Sequence, residues 1–388
     1  VQTLDTPKCS LLPNALVLPH ADSSDALLPA LRDFDHVEFF DCLPLAFRAV
    51  QAKRAGLAFQ TTTFAFFDDS NLPLHSPSIT SSLDLLPFYM QKYVHTSLTH
   101  SFLTSPTNAI ADDSPTVSIC IPHYNLGDYL PAALDSLANQ TYPHLDVIVI
   151  DDGSTDPHSL SIFDQMTKRF SAFRFLRQPN QGIGATRNRG LQQARGEYFI
   201  PFDADNVAHP DMVWRFVTAM QCQPQTAALT CYYHAFDTDD NLRNGKFLYA
   251  VRPTGGPYVL AATQNVYGDA CAIFRRSTLL DCGGFSTDRG TSFEDWELFV
   301  KMVGRGLRVD VVPEVLFWYR HRENGFSRVT DGYANHQRVL RAFAYATHLP
   351  AHEREWMAQA IAALEHRRNV QRSRSLRQRM WAWLRGQE

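Results

Sequence analysis

The segment LDVIVIDDGS (145–154), matched further along by EYFIPFDADN (197–206), decides the architecture. Each is a short, continuous apolar run that stops at carboxylates. Such a run, bounded by turn residues, reads as a strand buried on both faces. Between them, FRFLRQPNQGIG (173–184) reads as a strand with a Gly-rich turn, and ATRNRGLQQARG (185–196) as a helix closed by glycine. Upstream, TVSICIPHYN (116–125) is a further apolar strand ending in a Pro-containing turn, and Asp128 to Asn139 carries helical spacing. Strands buried on both faces and alternating with helices imply a parallel sheet covered by helices. Ligands of such sheets bind beyond the carboxyl ends of the strands. The polar clusters at 122–125, 151–154 and 203–206 are therefore expected at one cleft.

Outward from this centre, the chain divides into three expected units: 1–113, 114–333 and 334–388. In the first, HVEFFD (36–41) reads as strand, the stretch from Pro44 to Gly56 as helix, LAFQTTTFAFF (57–67) as strand and LLPFYMQKYVHTSLTH (85–100) as helix. SPTNAIADDSP (105–115), without periodicity, reads as a linker. In the second, EDWELFVKMVGRG (294–306) is a strong helix after the Gly283-Gly284 turn. Residues 334–365 read as helical, broken by LPAHEREW (349–356), and a basic tail follows.

Composition excludes several classes. The 388 residues are 45% hydrophobic and 20% charged, which is globular rather than disordered. Lys and Arg number 36 against 40 Asp and Glu, a net charge of −4, so nothing points to a nucleic-acid partner. No apolar run approaches the ~18–20 residues that span a bilayer. The seven cysteines, at 9, 42, 120, 222, 231, 271 and 282, form no C-x-x-C pair, so reduced thiols in a cytoplasm-like compartment are expected.

Several residues could carry chemistry, and each has a structural alternative. Asp152, in Asp151-Asp152-Gly153-Ser154, could accept from a ribose or a base, or it could sit in a capping turn. Asp203 and Asp205 lie on one side of a strand end, and two hard oxygen ligands suit Mg2+ or Mn2+ on a diphosphate. The alternative is an ordinary polar strand terminus. Gly182, Gly184 and Arg187 offer backbone N–H groups and a cation to an anion. Thr291 and Glu294 fit a capping box, which leaves Asp295 over as a general base. His321 could join a metal or be structural. Trp296 and Tyr267 could stack on sugars or pack in the core.

The ordered set resembles inverting family 2 glycosyltransferases of the GT-A fold. It runs Pro122-His123-Tyr124-Asn125, Asp151-Asp152-Gly153-Ser154, Asn180-x-Gly182, Arg187-Asn188-x-Gly190, Asp203-Ala204-Asp205, Gly283-Gly284-Phe285 and Phe293-Glu294-Asp295-Trp296-Glu297. Tyr319-Arg320-His321 closes it without the family's spacer residue. The resemblance covers about 116–325. It implies a Rossmann-like mixed sheet flanked by helices, preceded by a small α/β domain and followed by a helical tail. It also implies a nucleotide-diphosphate-sugar donor, most simply a UDP-sugar, and a glycan, lipid-linked or protein acceptor. Pro122, Tyr124, Asn125, Asp152, Gly182, Arg187 and Asp203 would bind the nucleotide sugar. Asp203, Asp205 and His321 would hold Mn2+ or Mg2+, and Asp295 would be the catalytic base. Glu294, Trp296, Tyr267 and Asp269 would lie near the sugar or acceptor. Asn206 stands where the family often has an acidic residue.

Part of the first unit is loosely similar to the N-terminal domain of GT-B glycosyltransferases. The Arg-rich tail, with Leu376, Met380, Trp383 and Leu384 on one helical face, would suit an anionic membrane surface or a solvated helix. A cytoplasmic location, at the inner membrane face if the tail engages it, is the expectation. A catalytically silent nucleotide-sugar or glycan-binding module is the alternative function. A sugar nucleotidyltransferase ranks behind both, because PHYN (122–125) lacks its Gly-rich, basic signature.

Overall fold

His36–Phe40 (β1), Leu43–Arg54 (α1) and Thr63–Phe67 (β2) form a strand–helix–strand unit whose two strands pair in parallel. The structure, a computed structural model, describes residues 36–40, 43–55, 63–67, 114–323, 325, 330–343 and 346. The expected helix at 85–100, most of the linker and the basic tail lie outside the described residues.

The larger part runs Val117–His123 (β3), Leu130–Ala138 (α2), Leu145–Asp151 (β4), Pro157–Arg169 (α3), Arg174–Arg177 (β5), Ile183–Gln193 (α4) and Tyr198–Pro201 (β6). It continues with Val207–Ala208 (β7), Met212–Cys222 (α5), Thr226–Phe236 (β8), Asp239–Arg243 (α6), Tyr249–Val251 (β9) and a 3-10 turn, Tyr258–Ala262. Ile273–Arg275 (β10), Arg276–Asp281 (α7), Glu294–Gly304 (α8), Arg308–Arg320 (β11) and Gly332–Ala342 (α9) complete it.

The nine-stranded sheet has the order β5-β4-β3-β6-β10-β8-β11-β7, with β9 added beside β8. β5, β4, β3 and β6 are parallel, as the apolar runs require. Beyond them the sheet becomes mixed, as the family resemblance implied. β10 enters antiparallel between β6 and β8, and β7 runs antiparallel to β11. These strands are too short for periodicity to reveal their direction.

Successive strand residues serve opposite faces. Ile119, Ile121, Val147 and Val149 pack with Leu134, Phe163 and Phe216 on one side. Cys120, Ile148 and Ile150 pack with Leu191, Phe274, Phe299 and Val339 on the other. α1 also contacts β11, and Gln51 Nε2 donates to the Thr254 carbonyl at 3.3 Å.

The second face closes because α4 lies very near β3. A Cβ on Gly190 would stand 2.1 Å from Cys120 Sγ. Two residues earlier, the Asn188 amide pairs with the Phe285 backbone, accepting from its N–H at 2.8 Å and donating to its carbonyl at 2.8 Å. Gly284, at φ +70°, makes room for that amide; a Cβ there would meet Asn188 Oδ1 at 2.3 Å. The Arg-Asn-x-Gly and Gly-Gly-Phe motifs are thus two halves of one lock, which brings the segment ahead of α8 to α4.

Gly190→Ala should cost about 1–3 kcal/mol, since the methyl has no room against β3. Gly332→Ala, at the open first turn of α9, should be neutral or slightly stabilising. Urea unfolding of the two variants checks both expectations.

Candidate functional site

The carboxyl end of β4 places Asp152 in front of the Gly-rich turn. Its buried carboxylate accepts from Gln181 N–H and Gly182 N–H, each at 2.8 Å, and from Gln178 Nε2 at 2.7 Å. Asp152 therefore shapes the turn that opens α4. Gly182 sits at φ +91°, and a Cβ there would meet nothing, whereas a Cβ on Gly184, in the first turn of α4, would collide with the Ser286 carbonyl.

At the end of β3, Pro122 is buried in the sheet and Tyr124 is 44% exposed. Asn125 takes the left-handed conformation and fastens this turn to the next. Its Oδ1 accepts from Thr155 N–H at 2.9 Å and Asp156 N–H at 3.0 Å, and its own N–H donates to Ser154 Oγ at 2.9 Å. His123 between them is fully buried, its Nε2 2.9 Å from Ser159 Oγ, and burial pushes its imidazole down to about 4. It is neutral at physiological pH.

The centre of the site is Arg187, on the first turns of α4 and only 1% exposed. Its Nη2 donates to Asp203 Oδ1 at 2.6 Å, and its Nη1 donates to Glu294 Oε1. Phe285 lies 5.5 Å from the guanidinium carbon. Burial works against the charge, but Asp203 and Glu294 more than offset it and raise the group above its ordinary value. One cation thereby joins β6, α4 and α8.

Asp205 lies in a turn past the end of β6, closed by the Asn206 N–H on the Asp203 carbonyl at 3.1 Å, so the expected strand alternation does not set its relation to Asp203. Burial and the Asp203 charge raise its carboxyl, against the pull of Arg322, whose Nε is 2.6 Å away. Asn206 is buried and accepts from the Arg320 N–H at 3.0 Å. The Arg320 side chain donates to the Asp205 carbonyl at 3.0 Å and to Asp239 Oδ1 at 2.5 Å, and lies between the Tyr129 and Phe236 rings.

α8 starts at Glu294 after Phe293 in the left-handed conformation, so Glu294 is the first helical residue and not the third. The expected Thr291–Glu294 capping box does not form. Thr291 Oγ donates to the Asp288 carbonyl, and Glu294 turns to Arg187. Asp295 accepts from the N–H of Trp296 at 2.7 Å. Burial, followed by the charge of Glu294, pushes its carboxyl up to about 7 although Arg187 pulls the other way. Asp269 is raised as well, by burial, then by Asp203 and Asp295. Asp203, Asp269, Glu294 and Asp295 thus form one electrostatic group with Arg187, and Asp205 joins it through Asp203.

Trp296 and Tyr267 are core residues, 7% and 1% exposed. Trp296 Nε1 donates to the Ala261 carbonyl at 2.9 Å and its ring packs on His336. The expectation that they stack on a sugar is corrected by this burial. His321 is not gathered with Asp203 and Asp205. Among the described residues, no three His, Cys, Asp or Glu side chains are placed to hold a metal ion. The His321 Nδ1 faces the Tyr249 hydroxyl at 3.2 Å.

The two carboxylates alone still suit a divalent cation. Burial and then the Asp203 charge raise the cost of ionising Asp205, and a hard cation bound mainly by substrate phosphates and water needs only one or two protein carboxylates.

Sequence reasoning missed the cations and amides that support these groups. α9 holds the start of α8: Asn335 Oδ1 accepts from Ser292 N–H at 2.9 Å, and Arg338 Nη2 donates to the Ser292 carbonyl. Arg338 Nε also lies 2.8 Å from Glu297 Oε2. Nothing local in the sequence marks Asn335 or Arg338. Arg320, by contrast, stands beside His321 in the closing motif, and Arg322 follows directly after it.

Residues 118–283 match the sequence model of Glycosyl transferase family 2. The putative glycosyltransferase EpsH of Bacillus subtilis (strain 168) is 38% identical over 99 residues, which cover 26% of this chain and 28% of that protein. The glycosyltransferase GlyG of Streptococcus pneumoniae serotype 4 is 32% identical over 129 residues, covering 33% of this chain and 42% of GlyG. The chain thus spans less than half the length of these relatives. The structure of S. aureus TarS 1-349 in complex with UDP-GlcNAc superposes with a TM-score of 0.50 over 63% of this chain and 71% of that one, at 22% identity. That is a likeness of fold, and the fold is GT-A. The segment 118–283 belongs to family 2 of the glycosyltransferases; Glu294, Asp295 and His321 lie beyond the matched segment.

Arg187→Met should cost roughly 3–5 kcal/mol by leaving the buried Glu294 and the half-buried Asp203 without a partner. Those carboxylates would then hold raised pKa values, so the variant binds more protons folded than unfolded and loses stability as pH rises. The deficit against the unsubstituted protein should be larger at pH 8 than at pH 5 in paired urea titrations.

Proposed function

We propose that this chain is a glycosyltransferase that moves a sugar from a nucleotide diphosphate to an acceptor hydroxyl, with inversion at the anomeric carbon. The observation that carries the reading is the pairing of Arg187 with Asp203 and Glu294, with Asp205 and Asp295 coupled to that pair by charge, beside the Gly182 turn that opens α4. In this reading the donor and the proton acceptor meet beside Arg187.

In this reading the nucleoside lies between Tyr124 and the turn 180–182. Tyr124 offers an exposed ring, and Asp152 and Asn125 act by fixing the two turns. The diphosphate lies toward the N–H groups of α4, which favour negative charge. Asp203 and Asp205 would hold Mn2+ or Mg2+, which supplies counter-charge to the departing diphosphate. His321 is left out of this proposed pair. Arg187 fixes Asp203 and Glu294, and so sets where Asp295 stands.

Asp295 takes the proton of the acceptor hydroxyl as that oxygen attacks the anomeric carbon. A pKa near 7 suits this task, because a base works best when it is ionised at the working pH and still holds a proton well. One displacement from the face opposite the leaving group inverts the centre. A UDP-sugar is the first donor to test, since the fold neighbour TarS was solved with UDP-GlcNAc. The matched stretches of EpsH and GlyG, both called glycosyltransferases, support the same class of reaction. The division at 113/114 and 333/334 belongs to this proposal too.

Calorimetry with UDP, GDP and dTDP, each with and without Mn2+, tests the donor site. One nucleotide should bind in a metal-dependent way, and Asp205→Ala should abolish that dependence. If none of the three binds, the transferase reading fails.

Asp295→Asn should lower turnover about 10^2–10^4-fold while nucleotide affinity stays within a factor of a few. Because the base must be ionised, turnover of the unsubstituted enzyme should rise with pH through about 7 and level off above it. An Asn variant that retained both rate and pH profile would remove Asp295 from the reaction.

A further inference from the structure

Phe247, Leu248 and Tyr249 are consecutive, large and exposed, at 38%, 50% and 43%. They end the hairpin that leaves β8 through α6 and returns as β9. Register shows where they lead. Tyr249 on β9 is opposite Ala235 on β8, and Ala235 is opposite Tyr319 on β11. Residues opposite each other on neighbouring strands point to the same face. Tyr233, two residues before Ala235, shares that face, and its ring centroid lies 5.6 Å from that of Tyr319. Three tyrosines therefore run from the exposed hairpin toward the sheet.

The inner end of this strip adjoins the turn that bears Asp205: Arg320, next to Tyr319, donates its N–H to Asn206 Oδ1 and its Nε to the Asp205 carbonyl, each at 3.0 Å. The Tyr319 hydroxyl is raised first by burial and then by Asp269, Asp203 and Asp205. That of Tyr233 is raised by burial, Asp269 and, more weakly, Asp295. The hairpin is also fixed relative to the turn that bears Asp205. Arg320 donates to Asp239 on the hairpin and to the Asp205 carbonyl.

We propose that the strip Tyr233–Tyr319–Tyr249, with Phe247 and Leu248 at its outer end, docks an uncharged carbohydrate acceptor, a sugar ring of which stacks on Tyr249. This rests on the transferase reading, because it is Asp295 that makes an acceptor necessary beside the strip. Aromatic rings with a polar edge suit a sugar, whose C–H face is apolar and whose rim is hydroxylated. Charge argues against an anionic lipid surface. The hairpin presents Asp237, Asp239 and Asp240 against Arg243 and Lys246, with Arg243 paired to Asp240 and Asp239 to Arg320, so it offers no net positive charge to such a surface.

Saturation-transfer NMR with cellotetraose, chitotetraose and mannotetraose tests the strip, alongside UDP calorimetry in Mn2+ on the same samples. At least one tetrasaccharide should bind. Tyr249→Ala should weaken it by roughly tenfold, about 1.4 kcal/mol, Tyr249→Phe should retain it, and UDP affinity should stay unchanged in both. Sugar binding without UDP binding would support the strip and remove the transferase reading. UDP binding with no tetrasaccharide bound would overturn the strip alone. So would a Tyr249→Ala variant that binds sugar as well as the unsubstituted protein. Association with phosphatidylglycerol vesicles that Leu248→Asp abolishes, with no sugar bound, would replace the carbohydrate by a lipid surface.

Discussion

A guanidinium at 1% exposure can exist only where carboxylates meet it, and the Arg187 side chain has Asp203 on one nitrogen and Glu294 on another. Removing such a charge from water costs several kcal/mol unless good geometry returns it. That requirement fixes the relative positions of three elements far apart in sequence: the helix after the Gly-rich turn, the strand end with the paired carboxylates, and the first turn of α8. Asp295 follows Glu294 directly. Its place in the cleft is therefore a consequence of where Arg187 needs its second partner.

The glycines serve the same end by a different force. Arg187 reaches Asp203 because α4 lies flat on β3, and it does so because Gly190 has no side chain to hold it off Cys120. It reaches Glu294 because Asn188 grips the Phe285 backbone, which requires Gly284 to stand aside. From outside, α9 steadies the segment 291–297 through Asn335 and Arg338. Close packing sets the distances, and the ion cluster then has little freedom over where its charges stand.

Much of this was legible in the sequence. Apolar runs located β3, β4 and β6, and the family resemblance singled out Arg187, Asp203 and Asp295 of the cluster. Other features were hidden for physical reasons. The direction of β10, three residues long, depends on which strands flank it, and no local pattern records that. Trp296 and Tyr267 looked available for sugars because an aromatic residue reads alike on a surface and in a core. The Thr291–Glu294 capping box was a sound local inference that a buried arginine overrode. His321 drew attention because histidine binds metals, while its neighbours Arg320 and Arg322 do the tying of Asp205 and the hairpin.

The account turns on whether the cleft built around Arg187 is where a nucleotide diphosphate binds. A crystal structure with UDP and Mn2+ addresses this most directly. It should show the uridine between Tyr124 and the turn 180–182, the diphosphate before α4, and the metal on the Asp205 carboxylate. Nucleotide bound elsewhere on the molecule, with Asp205 still held by Arg322, would contradict it.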